Sequence, residues 1–361
     1  MTKKILPAVI GATLAAGMSA VAADITLFGH LDTSWNAVDV DGNQDDNFLH
    51  CTTCSIGFKG SEDLGNGLKA IFKLDFQFNM TERNSSGTSG AQNDTIGTEP
   101  LADSLTDRDQ WLGLAGGFGQ VRIGTISTVY KSHGAMIDPL YRTALQGRDR
   151  GLQSSLHSSA GEEIQGRATN TIRWDSPDYS GFKVGATYTL DNNKEDGEDN
   201  NPYGIGASYS SGGILAFADY ITNDGDAVSG EKDAWKVGGK YDMGMFSFMG
   251  QYEDYQNSSI DEETAWHVAG GVNGLLGMNI YLGFGMTEDD TTNNEATSWT
   301  LAVSHNMSKR TMVYVGHSQI DCDAGDPDGS GPGSATLSAC SAVGAGGGED
   351  DKTSFGIKHK F

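Results

Sequence analysis

Four basic residues sit between apolar neighbours at single-residue spacing, a pattern suited to chemistry done by charge. Lys59 follows Phe58 in a segment whose apolar face includes Ile56. Lys73 lies between Phe72 and Leu74, Arg122 between Val121 and Ile123, and Arg173 between Ile172 and Trp174. Arg108, a fifth, is three residues before Trp111, on the opposite face of an extended segment. Extended chains send successive side chains to opposite faces, so each cation is directed away from an apolar row. Cations on one wall facing acids on another create a transverse field that sorts ions passing between them. The acids for such a pair come from the stretch 126–167, which carries Asp138, Asp149, Glu162 and Glu163. Arg142, Arg148, Arg150 and Arg167 lie in the same stretch and either pair with those acids or line an anion site of their own.

No catalytic set accompanies these charges. G-x-S-x-G is absent and the eight histidines are scattered. No cofactor is expected. The four cysteines are Cys51, Cys54, Cys322 and Cys340. Disulfides are the default in an exported protein. Cys322 and Cys340 bracket a Gly/Ser-rich stretch and are suited to closing one loop. Cys51-x-x-Cys54 is a tight local disulfide or half of a metal site, and connectivity is not readable from spacing. Two structural disulfides are the favoured reading, with no metal. Asp326-Pro-Asp-Gly329 resembles part of a calcium loop but lacks the ordered ligand series and the final Glu, so it reads as a solvated acidic loop.

The elements that position these residues are period-2 segments of about ten residues. Ile280, Leu282, Phe284 and Met286 share one face, against Tyr281, Gly283 and Gly285 on the other. Ala70, Phe72, Leu74, Phe76 and Phe78 share a face opposite Lys69, Lys73, Asp75 and Gln77. The connections are of two kinds. Short Gly-rich ones cover 62–67, 116–119, 176–181, 210–213, 242–244, 274–277 and 306–309. Long polar ones cover 39–50, 81–106, 126–167, 191–201, 222–231, 256–261, 288–296 and 320–351. The two kinds alternate strictly, as in transmembrane barrels with short turns at one end and long loops at the other. Seven short and eight long connections predict an all-β, antiparallel barrel of about sixteen strands with both termini at the short-turn end. The uncharged run 264–287 is long enough for a membrane helix, but its glycines and central turn predict two strands instead.

Residues 1–23 predict a cleaved signal peptide: Lys3 and Lys4, a short apolar stretch over 5–18, and Ala20-Val21-Ala22 fitting the A-x-A cleavage rule. One barrel domain, 24–361, follows. The formal charge is −24. Removing Lys3 and Lys4 makes it −26, with 22 basic residues facing 48 acidic ones. So acidic a chain is a poor nucleic-acid binder. It predicts a preference for cations, which a basic eyelet would override; a saline habitat is the other explanation of the acidity. Fifty glycines and seven prolines suit a strand-rich chain. A mean hydropathy of −0.38 is compatible with a membrane barrel, in which only alternate residues meet lipid.

Several segments resemble the general porins of proteobacteria, the trimeric sixteen-stranded family. ITLFG at 25–29 is similar to the first strand, and GFKGSEDLGNGLKA at 57–70 to the second hairpin. RDQWLGLAGGFGQVRIG at 108–124 resembles the hairpin before the constriction loop. NTIRWDSP at 170–177 and Gly181-Phe182 resemble the pair after it. MSKRTMVY at 307–314 is similar to the penultimate hairpin, and SFGIKHKF ends the chain on Phe361. The resemblance implies an outer-membrane homotrimer that passes ions and small hydrophilic solutes by diffusion. It implies a third loop, 126–167, folded into the lumen, with Asp138-Pro139-Leu140 similar to an Asp-Pro-aromatic step there. That makes Asp138 the leading acidic eyelet candidate. Phe361 is then the signal for the outer-membrane assembly machinery, and lipid with lipopolysaccharide is the surroundings. Phe361, Phe355, Tyr241, Phe246 and Phe182 are candidates for the periplasmic aromatic belt. One departure is Thr125, where the family often has Arg; the nearest Arg is Arg122. The rival readings are a channel selective for sugars or organic acids, an outer-membrane barrel enzyme, and an adhesin.

Overall fold

A computed structural model describes residues 24–42, 45–81, 105–154, 166–190, 201–223, 232–257, 261–289, 294–323, 340 and 347–361. The signal-peptide stretch, Glu162 and Glu163 lie outside the described residues. In chain order the strands are β1 (Asp24–Val40), β2 (Asp46–His50), β3 (Ser55–Gly65), β4 (Leu68–Gln77), β5 (Thr106–Gly116), β6 (Gly119–Ser127), β7 (Arg167–Asp175), β8 (Phe182–Thr189) and β9 (Tyr203–Ser211). They continue with β10 (Ile214–Asn223), β11 (Lys232–Asp242), β12 (Phe246–Asn257), β13 (Asp261–Leu275), β14 (Met278–Asp289), β15 (Asn294–Asn306), β16 (Thr311–Cys322) and β17 (Gly348–Lys360). Two short helices, α1 (Val129–Ile137) and α2 (Gly147–Arg150), lie between β6 and β7.

Neighbouring strands pair antiparallel around a single sheet, and β17 returns to β1 with His30 opposite Lys360 and Val40 opposite Asp350. Gly29 and Phe361 exchange backbone hydrogen bonds at the seam. β2 and β3 both lie along β1, one above the other, and make a single broken stave. The seventeen strands therefore form a closed sixteen-stave barrel, as expected. The uncharged run 264–287 is the β13–β14 hairpin.

The first long connection is corrected. The stretch 39–50 reads as a loop because it is polar, yet β1 runs to Val40 and Asp46–His50 is strand. Beyond the hydrocarbon band both faces of a stave meet water, so polar residues do not end it. The short turns follow their residues: Asn66 and Gly67 have φ of 53° and 76°, the left-handed values of a tight hairpin.

The alternation sorts the two faces as the sequence requires. Leu282 and Phe284 are 42% and 47% exposed on the outside, while Tyr281 is buried inside. Phe182, Tyr241 and Phe246 are likewise exposed, near the short-turn end, while exposed Phe355 lies at mid-strand opposite Trp35 rather than at that end, because it is six residues before the terminus. Phe361 packs its ring over Gly29. No helix among the described residues is long and apolar enough to cross a membrane.

The apolar core sits inside the barrel, between the third long connection and the wall. Ile137, Leu140 and Leu145 of that connection cluster with Phe217, Met249, Ala269, Tyr281, Ala302 and Tyr314. α1 packs against β8 to β12, and α2 against β15 and β16. Glycines on the inner wall make the seat. A Cβ on Gly206 would lie 2.6 Å from Val129 Cγ1, and one on Gly316 2.6 Å from Leu145 Cδ1. Both are closer than side chains approach without displacement.

Gly316→Val is expected to push Leu145 off its seat and to cost about 1–3 kcal/mol as overpacking. The check is the temperature at which the heat-modifiable gel band converts; an unchanged temperature would mean the seat is not tight.

Candidate functional site

Four neighbouring strands, β4 to β7, carry an ordered array of charge on their inner face. Lys73 Nζ lies 2.9 Å from Asp109 and 3.3 Å from Asp75. Arg167 Nε is 2.9 Å from the other Asp109 oxygen, which also accepts from the Ser127 backbone and hydroxyl. Arg108 is 3.5 Å from Asp75 and donates to Gln77. Arg122 and Arg173 stand directly opposite each other across β6 and β7. Two like charges at that spacing repel. Asp175 lies between them: it is bonded by Arg122 and lies 2.7 Å from Arg173 Nη2.

Simple alternation does not put adjacent Arg108 and Asp109 on one face. The register between β4 and β5 shifts between Leu74 and Phe76, a bulge that turns both inward. Trp111 is also inward, because Arg122 stacks 5.2 Å from its ring. Arg108 and Trp111 were expected on opposite faces. The bulge puts them on the same one, so the inward direction of Arg108 stands and the parity argument for it does not.

The facing side is the loop. Tyr141 is flanked by the guanidinium groups of Arg142 and Arg148, at 5.7 and 5.3 Å from its ring centre. Arg108 on the wall lies within electrostatic range of Arg142, Arg167 and Tyr141. Nε of Arg108, Arg122 and Arg142, and Nη1 of Arg148, make no hydrogen bond among the described residues.

The loop is pinned on its other side by buried polar contacts. Tyr130 donates to Glu253 at 2.8 Å, and His133 Nδ1 to Asp219 at 2.7 Å. Arg150 bonds Asp350 at 2.6 Å and Ser318 at 2.8 Å. His267 Nδ1 donates to the Gly151 carbonyl at 2.7 Å. Lys358 donates to the Tyr141 carbonyl. These partners were not foreseen, since each depends on which strand the loop crosses.

The acidic candidates fare differently from the basic ones. Asp138 accepts the N–H groups of Leu140 and Gly147, each at 2.8 Å, and so staples the loop to itself. It was expected to face the passage; each of its oxygens accepts one backbone bond from its own loop. Asp149 accepts from Gln146 within the same turn. The carboxylates that do meet the basic wall are Asp75, Asp109 and Asp175. The signal for two of them was the i,i+2 spacing of Lys73-x-Asp75 and Arg173-x-Asp175, which shares a face. Lys59 points inward opposite Lys73, and both ammonium groups lie over Phe28, at 5.6 and 5.4 Å. Arg173 is tied to the Ser127 carbonyl and Ser132 hydroxyl, which makes it a support for the loop as well. The cysteines pair as Cys51–Cys54 and Cys322–Cys340, so the four-thiolate metal reading falls.

Burial raises the Asp138 carboxyl to about 6, against the lowering effect of its two backbone bonds. A raised value means the fold favours the protonated form. Its contribution is full below the ordinary carboxyl range and is lost as pH rises through about 6. The unsubstituted protein should therefore gain stability relative to Asp138→Asn on going from about pH 7 to about pH 4. Paired thermal unfolding at the two pH values checks this; a constant difference would contradict it.

Comparison with known proteins agrees with the geometry. A family model described as Gram-negative porin matches residues 8–325. Outer membrane porin protein 32 of Delftia acidovorans is 27% identical over 318 residues, covering 84% of this chain and 86% of the relative. The major outer membrane protein P.IB of Neisseria sicca is 26% identical over 354 residues, covering 85% and 91%. Among solved structures, an anion-selective porin from Comamonas acidovorans superposes with a TM-score of 0.72 at 22% identity, covering 94% of this chain and 100% of that one. An outer membrane protein of Vibrio cholerae in its trimer form superposes with a TM-score of 0.64 at 14% identity, covering 94% and 100%.

Proposed function

This chain belongs to the Gram-negative porin family, and from that premise we propose that it is an outer-membrane diffusion channel whose constriction prefers anions. The observation that carries the selectivity is the charge across the eyelet. Lys73, Arg108, Arg122, Arg167 and Arg173 on the wall face Arg142 and Arg148 on the loop, with Asp75, Asp109 and Asp175 paired among the wall cations. Seven cations against these three carboxylates leave this cluster of side chains net positive.

This departs from the cation preference expected of a chain with net charge −24, and the reason is range. Salt screens exposed charges beyond about 8 Å at physiological strength. Acids such as Asp39, Asp45, Asp46 and Asp351, grouped at the long-loop rim, act on the mouth. An ion at the constriction responds to the guanidinium groups beside it. The relative described as anion-selective supports the same reading. The channel class leaves no role for catalysis, and nothing favours the sugar-selective reading over a general one.

The mature protein is proposed to be the single barrel domain 24–361, exported by the signal peptide 1–23. It assembles as a homotrimer, as the Vibrio relative is described to do. Phe361 presents the chain to the assembly machinery, and lipid and lipopolysaccharide surround the barrel.

Purified protein in a planar bilayer under a KCl gradient tests the proposal. Conductance steps in groups of three with reversal on the anion side are expected. Arg142→Gln with Arg148→Gln should lower the chloride-to-potassium permeability ratio by about threefold or more. Reversal of the unsubstituted protein on the cation side would sink the selectivity, and absence of conductance would sink the channel.

A further inference from the structure

The break in the second stave has no part in the function so far described. β1 pairs with β3 as far as His30 opposite Ser55, and with β2 from Ser34 opposite His50. Between those pairings lies Cys51-Thr52-Thr53-Cys54, closed by a disulfide with Cα atoms 5.8 Å apart. This knuckle is not a rim loop, because Cys51, Thr53, Cys54 and Ser55 are all buried. Its Cys54 carbonyl accepts the Phe78 N–H at 3.0 Å, which ties it to the end of β4.

Asp32 sits at the break. Its N–H points into the gap and finds Cys54 Sγ at 3.5 Å, a weak acceptor. Its fully buried carboxylate accepts the Tyr314 hydroxyl at 3.2 Å. That hydroxyl in turn accepts the N–H of Ala144 at 3.3 Å. Ala144 belongs to the constriction loop, two residues from Arg142 and four from Arg148. Tyr314 is only 2% exposed, and its ring occupies the space that a side chain at Gly356 would take.

We propose that the Cys51–Cys54 disulfide is a positioning element of the constriction. It holds the knuckle against Asp32, and the Asp32–Tyr314–Ala144 relay then sets where Arg142 and Arg148 stand. The proposal rests on reading those arginines as the eyelet. None of the relay groups lies among the charges that face the passage. The effect is graded rather than total, because His30 Nε2 donating to the Arg142 carbonyl and Lys358 donating to the Tyr141 carbonyl tether the same segment in parallel.

The test uses substitutions that add or remove no formally charged side chain. Cys51→Ser/Cys54→Ser, Cys322→Ser/Cys340→Ser and Tyr314→Phe are folded, confirmed by heat-modifiable mobility, and measured in planar bilayers under a KCl gradient. The first and third should change the chloride-to-potassium permeability ratio by about twofold in the same direction. The Cys322–Cys340 variant should match the unsubstituted protein. An unchanged ratio in Cys51→Ser/Cys54→Ser overturns the proposal, as does an equal change in both disulfide variants. A change there with none in Tyr314→Phe overturns the relay. If the first variant does not fold, Tyr314→Phe decides: an altered ratio supports the relay and an unaltered one removes it. Each comparison is with the unsubstituted protein. Cation-side reversal of that protein would defeat the proposed selectivity and leave this test standing.

Discussion

In hydrocarbon an unpaired peptide N–H or C=O has no water to turn to, and each such group costs several kcal/mol. A sheet can meet that demand only by leaving no edge. The seam between β1 and β17, eleven opposed residue pairs from His30–Lys360 to Val40–Asp350, is therefore what the rest of the molecule depends on. Closure defines an inside. It allows the outward row to be Leu, Phe and Trp while the inward row is Lys, Arg, Asp and Ser. It also provides a concave wall against which a loop can bury apolar surface away from lipid.

That loop is held by a mixture of contacts whose demands differ. Leu140 and Leu145 need close packing, which the glycine at 316 admits. Arg150, Tyr130 and His133 need partners, because a buried polar group without one costs more than the bond is worth. Asp350, Glu253 and Asp219 supply them from different staves. The loop is thus located by several independent contacts spread around the barrel. Arg142 and Arg148 flank the Tyr141 ring on this same loop.

On the proposed reading, net charge and eyelet charge point in opposite directions, and distance decides between them. Acidic side chains dominate the composition, but those grouped at the rim are on or beside β1, β2 and β17, while Arg108 and Arg173 are on β5 and β7. Coulomb interaction falls with distance and salt removes most of the remainder. An acidic protein can therefore hold a basic constriction, each governing a different stage of passage.

The sequence alone determined the barrel, its strand number and the face of most side chains. Period-2 alternation and turn residues act between near neighbours, so Ile280 to Met286 and Asn66-Gly67 are legible without any partner. The inward side of Lys73, Arg122 and Arg173 was legible for the same reason. Tertiary structure decided the rest. The bulge opposite Leu74 turned Arg108 and Asp109 to one side, which strict alternation forbids. The strand continuing through Asp46–His50 depended on pairing with β1. Asp138 staples its own loop because Gly147, nine residues on, comes within its reach. Which acid meets which arginine is set by register between staves far apart in the chain, and nothing in local spacing records it.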